Sequence, residues 1–256
     1  MALRVELAGR TDVGCVRSKN EDAWGYDAEA GIYAVCDGMG GQAAGEIASH
    51  LSLEAVLDFF RHGRRDGKYP TSLDLVDGLS DRANRLCNAI FRANRMVYDA
   101  AGHNPENSGM GSTIVCVLAE SEGVSLGHVG DSRIYLVTKD NIEQITRDHS
   151  LVQRYVELNL LTREEASVHA QKNVLYRALG QSETLEVDAL TRRLPPNAKL
   201  MLCSDGLWNL VTEQEIADIV SNHSNPQEAC DKLVALANAH GGTDNITVIL
   251  LRIPAH

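Results

Sequence analysis

A chain of 256 residues with 44% hydrophobic residues can bury a sizeable core as one domain, or at most two. Its net charge of −11 argues against nucleic acid or an anionic membrane surface as the main partner, because both call for a basic face.

The N-terminal Met1-Ala2-Leu3-Arg4 has no basic segment leading into a long apolar run, and no stretch has the length of a membrane span. A soluble cytoplasmic protein is the expectation. Six cysteines (15, 36, 87, 116, 203 and 230) are scattered without a C-x-x-C pair, mostly in apolar runs, and read as reduced structural thiols.

Val5 to Thr11 alternates as a half-buried strand and leads into a polar, charged loop from Asp12 to Asp22. Ile32 to Cys36 has the composition of a buried strand and runs into Asp37-Gly38-Met39-Gly40-Gly41, placing Asp37 at the strand's mouth. A helix is predicted from about Ala43 to Phe60, followed by a polar connection over 62–71. Leu79, Ala83, Leu86, Ile90, Ala93 and Val97 form one stripe of a long helix that Gly102 stops.

From Ser112 the period changes. Thr113 to Ala119, Val124 to Val129, Arg133 to Val137 and Ile142 to Ile145 read as the consecutive strands of an antiparallel meander. Asp148 to Gly180 is polar and helical, with a capping box at Thr162-Arg163-Glu164-Glu165, and looks like an insertion over a sheet edge. Strands resume at Leu185 to Arg193 and Lys199 to Cys203. Thr212 and Asn225 start two helices with capping-box spacing, and Ile246 to Ile253 closes the sheet. The order suggests antiparallel sheets covered by long helices rather than a parallel βαβ fold.

Asp37 is one of several acids at strand ends. Leu200 to Cys203 runs into Ser204-Asp205-Gly206, Val129-Gly130 into Asp131, and Asp244 stands just before the last strand. Carboxylates gathered in one place repel one another unless a cation neutralises them, so the set implies a metal. Oxygen donors with no adjacent His or Cys set favour Mg²⁺ or Mn²⁺ over zinc. A dinucleotide fold is the rival, because Gly38 to Ala43 matches G-x-G-x-x-A. It lacks a second parallel strand after the first helix, and Asp37 would set a negative charge beside the pyrophosphate.

Together, Arg17-Ser18-Lys19-Asn20-Glu21-Asp22, Val35 to Gly41, Gly111-Ser112-Thr113, Val129 to Arg133, Ser204 to Trp208 and Thr243-Asp244-Asn245 resemble, in order, the metal-dependent protein phosphatases of the PPM or type 2C class in their compact bacterial form. The resemblance implies an α/β/β/α sandwich of two antiparallel sheets over 1–256, with 148–180 as the family's flap. It implies a serine/threonine phosphatase that hydrolyses phosphoproteins with water activated by two Mn²⁺ or Mg²⁺ ions, reversing a partner kinase and working as a monomer. By position, Asp37 looks like the bridging carboxylate, Asp205 and Asp244 like ligands of the first ion, and Glu21 with the Gly38 carbonyl like ligands of the second. Asp131 with Asp205 looks like a third, weaker metal site. Arg17 resembles the phosphate clamp and Asp22 the group that orients water.

Met39 departs from the histidine that animal members carry, and a thioether cannot donate a proton to the leaving group. His128 reads as structural and His149 as an exposed residue at the start of the insertion. Arg154, Arg163 and Lys172 could meet acidic groups of a phosphoprotein. Two alternatives stay open: a catalytically silent phosphoprotein binder and a phosphatase acting on partner-switch proteins.

Overall fold

The computed structural model describes residues 5–41, 44–69, 76–120 and 123–252. Met1 to Arg4, Gln42, Ala43, the end of the 62–71 connection and Ile253 lie outside the described residues. In chain order the elements are β1 (Glu6–Asp12), β2 (Asp22–Asp27), β3 (Ile32–Met39), α1 (Ala44–Asp66), α2 (Asp81–His103), β4 (Gly111–Ser112), β5 (Ile114–Glu120), β6 (Gly123–Val129), β7 (Arg133–Val137) and β8 (Ile142–Gln144). They continue with α3 (Leu151–Glu157), α4 (Arg163–Val168), β9 (Asp188–Arg192), β10 (Lys199–Cys203), α5 (Asp205–Trp208), α6 (Glu213–Asn222), α7 (Pro226–Ala239) and β11 (Ile246–Arg252).

The strands form two antiparallel sheets. One runs β1-β11-β10-β7-β8; the other runs β2-β3-β5-β6-β9, with β4 paired to the end of β3. Successive side chains of a strand point to opposite faces, and here both faces are covered. On β3, Tyr33 and Val35 pack into the layer between the sheets with Leu200, Leu202, Ile249 and Leu251. Ile32, Ala34 and Cys36 face Phe59, Phe60, Leu86 and Ile90 of α1 and α2. On the other side Met201, Cys203, Val248 and Leu250 face Ile216 and Leu233 of α6 and α7. The result is the expected α/β/β/α sandwich, held by three apolar layers.

The α2 stripe is fully buried from Ala83 to Val97, and Ser80 caps the helix through its side chain to the Ala83 N–H. The first helix is longer than expected, reaching Asp66, and Tyr69 packs against it at Gly63, where a Cβ would lie 2.2 Å from the ring. Thr162 and Thr212 make complete capping boxes. Asn225 caps α7 through the Gln227 N–H, while Glu228 reaches its side-chain amide rather than its backbone. Five of the six cysteines are buried, and Cys15 alone is exposed.

The expected strand order fails. The strands after Ser112 are not a meander: β5 and β6 pair in one sheet, but β7 belongs to the other. The chain crosses between sheets at Gly130-Asp131-Ser132, where Gly130 takes φ +105° and a Cβ would strike Thr113 at 2.6 Å. Alternation cannot reveal such a crossing, since strands of both sheets feed the same central layer. The crossing puts Asp131 at the seam.

Candidate active site

Strand periodicity builds the site. Asp37 has the parity of Tyr33 and Val35, so it continues their inward-facing row beyond the last apolar residue of β3. Strand β2, unrecognised in the sequence, sets Asp22 directly opposite Asp37 in register. The strand does not end at Asp37, as expected, but continues through Met39 because β4 pairs with Gly38 and Met39. Asp205 opens the single turn of α5 after β10, Asp244 precedes β11, and Asp131 follows β6.

Each acid is held by its neighbours. Asp22 is buried, and its Oδ2 accepts a hydrogen bond of 2.7 Å from Ser204 Oγ. Ser204 Oγ in turn accepts the Thr247 N–H at 3.0 Å. The Asp37 N–H donates to Thr113 Oγ1, which also meets Ser132 Oγ. Asn209 donates to Asp205 Oδ2, and Trp208 Nε1 donates to the Asp131 carbonyl at 3.0 Å. Arg17 donates from one terminal nitrogen to Asp244 Oδ2 at 2.7 Å. The Gly38 N–H donates to the Glu21 carbonyl, and the Glu21 N–H to Asn245 Oδ1.

Two glycines make the Glu21 corner possible. A Cβ on Gly38 would lie 2.0 Å from the Gly45 carbonyl oxygen, and one on Gly45 would lie 2.7 Å from the Glu21 carboxylate carbon. The Glu21 side chain therefore lies on the first turn of α1.

Burial, then mutual repulsion, disfavours ionisation of Asp22, Asp37, Asp131 and Asp205. Asp37 is pushed well above the usual carboxylate range by desolvation and by Asp22, Asp205, Asp131 and Asp244. Asp131 is pushed well up by desolvation and then Asp205. Asp205 rises to about 7 and Asp22 to about 6, each chiefly through desolvation. Burial also raises Glu21, opposed by Arg17. Such a set calls for a cation. The donors are hard oxygens, and Asp22 Oδ1 is a buried oxygen with no hydrogen-bond partner. These residues fit Mg²⁺ or Mn²⁺.

The sequence profile of protein phosphatase 2C matches residues 16–238. The serine/threonine phosphatase stp of Listeria welshimeri is 35% identical over 245 residues, covering 94% of this chain and 93% of that protein. The chain belongs to the protein phosphatase 2C family. It is a protein serine/threonine phosphatase, a phosphate-monoester hydrolase. The phosphatase superposes on serine/threonine phosphatase Stp1 from Staphylococcus aureus with a TM-score of 0.87 and 35% identity, covering 100% of this chain and 98% of that one. It also matches the catalytic domain of PstP in complex with two manganese ions, at 31% identity and a TM-score of 0.83, over 98% and 99% of the two chains.

The phosphatase brings Glu21, Asp22, Asp37, Asp131, Asp205 and Asp244 into one electrostatic neighbourhood, with Arg17 at its edge. Residues that sequence reasoning passed over hold them: Thr113, Ser204, Asn209 and Asn245. All but Asn209 stood inside the quoted motifs, so motif membership was the available signal.

His149 is not exposed as expected. It is buried, its Nδ1 accepts the Gly130 N–H at 3.0 Å, and its Nε2 lies 3.2 Å from Asp188. With His128 and Asp188 it forms a group whose donor atoms lie within 4.8 Å of one another. The Gly130 N–H fixes the tautomer with the proton on Nε2, directed to Asp188, while Arg177 also bonds Asp188 at 2.8 Å. This group is a clamp between the 148–180 segment and the Asp131 turn rather than a cation cage.

Proposed function

We propose that two divalent cations, Mn²⁺ or Mg²⁺, are held by Asp37, the Gly38 carbonyl, Glu21, Asp205 and Asp244, with Asp131 and Asp205 offering a third and weaker site. The gathering of buried and half-buried acids with raised pKa values at the seam of the two sheets supports this reading. Bound there, the cations supply Lewis acidity and lower the pKa of water.

The chain's own residues do the rest. Arg17 touches the cluster through one terminal nitrogen, so its other nitrogens remain to grip two phosphate oxygens and turn the phosphorus toward the acids. Asp22 presents Oδ1, a free oxygen on a carboxylate that Ser204 fixes through Oδ2. That oxygen orients the attacking water and accepts its proton. Water adds to phosphorus and gives one proton to Asp22 as the ester P–O bond breaks; the departing oxygen takes a proton from solvent, so that phosphate and the serine or threonine hydroxyl leave. Met39 gives no proton to that oxygen.

In this reading residues 1–256 form one catalytic domain with 148–180 as its flap, a cytoplasmic monomer opposing a partner kinase. Among the described residues no helix is long and apolar enough to cross a membrane.

Phosphate release from a phosphothreonine peptide, with Mn²⁺ and after chelation, tests the proposal. Release should require the metal and fall at least ~100-fold in Asp37→Asn, as expected when a charge at the centre of the acid cluster is lost. Release that persists after chelation, or in that variant, would sink the two-metal reading.

A further inference from the structure

A cavity of about 700 Å³ lies between the 148–180 segment and the α5–α6 region. That volume suits a ligand larger than a phosphate ion. One wall comes from α3 and α4, the other from Trp208, Asn209 and Glu213. The second wall adjoins the acid cluster directly, since Trp208 is bonded to Asp131 and Asn209 to Asp205. A substrate whose phosphate reaches the acids therefore passes neighbouring residues along this cavity.

Four cations line it, and they differ in occupation. Arg133 gives two nitrogens to Asp148 and a third to the Tyr135 hydroxyl, and it lies 3.6 Å over the Trp208 ring. Arg147 is paired with Glu157. Arg163 and Lys172, both exposed, have no ion pair among the described residues. In a chain of net charge −11, two uncommitted cations on a cavity beside a carboxylate cluster are matched to an anion from outside. Among the described residues, Glu213 is the only acid lining the cavity besides the committed Asp148.

We propose that this cavity is a substrate subsite that takes an anionic side chain flanking the phosphorylated residue, either a carboxylate or a second phosphate, and that Arg163 and Lys172 are its contacts. The inference rests on the protein phosphatase reading and names a substrate feature. The 148–180 segment is anchored for this role: His149 N donates to the Gly130 carbonyl and Leu179 bridges Ser112, so both its ends are tied to turns of the site.

The test uses the full chain with Mn²⁺ and phosphothreonine peptides in which one alanine at a time, on either side of the phosphothreonine, is replaced by aspartate or by a second phosphothreonine. Each peptide is assayed with wild type and with the double variant Arg163→Ala, Lys172→Ala, and p-nitrophenyl phosphate serves as a substrate that carries no flanking side chain. At one or two positions on one side, the anionic residue should lower KM about 3- to 10-fold in wild type, the range expected of two solvent-facing charge-assisted contacts. That gain should vanish in the double variant while its kcat and its turnover of p-nitrophenyl phosphate stay at the wild-type level. A gain with phosphothreonine but not aspartate would assign the site to a second phosphate. Absence of any position effect, or a position effect that survives in the double variant, overturns the proposal. Failure of wild type to hydrolyse p-nitrophenyl phosphate would strike the phosphatase reading instead.

Discussion

Asn245 ties the N-terminal loop to the acid cluster, and its truncation measures how much the site depends on that loop. Its Nδ2 donates to the carbonyls of Val13 at 3.0 Å and Lys19 at 2.8 Å, and its Oδ1 accepts the Glu21 N–H at 2.7 Å. The side chain is 5% exposed, but Val13 and Lys19 are exposed and their carbonyls can turn to water. Each bond is worth roughly 0.5–1.5 kcal/mol net, so Asn245→Ala should cost about 2–3 kcal/mol. Most of it should appear locally, because the loop carrying Arg17 and Glu21 can loosen without the sandwich opening. The expected outcome is a 10- to 100-fold rise in the Mn²⁺ concentration needed for half-maximal peptide dephosphorylation, the usual range for losing a residue that orients metal ligands. A modest fall in Tm, on the order of 2–4 °C per kcal/mol that does reach global stability, should accompany it. Asn245→Asp keeps the acceptor for the Glu21 N–H but loses both donations and sets a carboxylate oxygen against the Val13 and Lys19 carbonyls, so it too should shift the Mn²⁺ titration. A wild-type Mn²⁺ titration in both variants would refute the reasoning, since the loop would then be placed by something else.

In chelator-treated protein, Asp22 (about 6) and Asp205 (about 7) hold protons that the unfolded chain, near 4, has released. Their contribution to stability is therefore present at acid pH and lost as pH rises through about 7. Tm by calorimetry should fall from pH 5 to pH 8 after chelation, and Mn²⁺ should flatten that slope. His128 has the opposite sign: burial holds it at about 3, both ring nitrogens lack partners, and the unfolded ring titrates near 6.5. Its contribution is present above that value and lost as pH falls, so the Tm difference between wild type and His128→Leu should shift against wild type below about pH 6 and stay constant above pH 7. Arg133→Ala strands the buried Asp148 carboxylate and should destabilise by about 3–5 kcal/mol, read by urea unfolding; an effect under about 1 kcal/mol would show that water replaces the guanidinium.

The sandwich and most of its elements were legible because their signals are local. The alternation of β1, the apolar runs of β3, β10 and β11, the α2 stripe and the Thr162 and Thr212 caps follow from side chains a few residues apart. Strand β2 was not legible: Asp22-Ala23-Trp24-Gly25-Tyr26-Asp27 carries charge at both ends and a glycine, and it is a strand because β3 offers it an edge. The crossover at Gly130 was hidden for a related reason, since β6 and β7 each look like half of a hairpin and only long-range pairing separates them. The acids could be named from motifs, but nothing in spacing distinguishes Asp22, with one free oxygen, from Asp244, engaged by Arg17 and the Asn245 N–H. His149 looked exposed because its neighbours in sequence are polar; its burial comes from Gly130, Asp188 and Arg177, all distant along the chain.

The position of the site follows from how the two sheets meet. Along the shared central layer the inward rows are apolar through Val35, Leu202 and Ile249, and at one end the same rows turn polar, with Asp37, Ser204 and Thr247 in the next places of equal parity. Ser204 joins the sheets there, donating to Asp22 of one and accepting from Thr247 of the other. Thr113 and Ser132 make a second seam across the crossover, beneath Asp37 and beside Asp131. Neither serine needs to attack phosphorus to matter. Each fixes the distance between carboxylates from different sheets, and that distance decides whether the cluster repels itself or grips a cation. The small hydroxyl residues beside these acids are, on this geometry, the parts that convert sandwich packing into carboxylate spacing. Slack between the sheets should therefore appear first as weaker metal activation and only afterwards as a lower Tm.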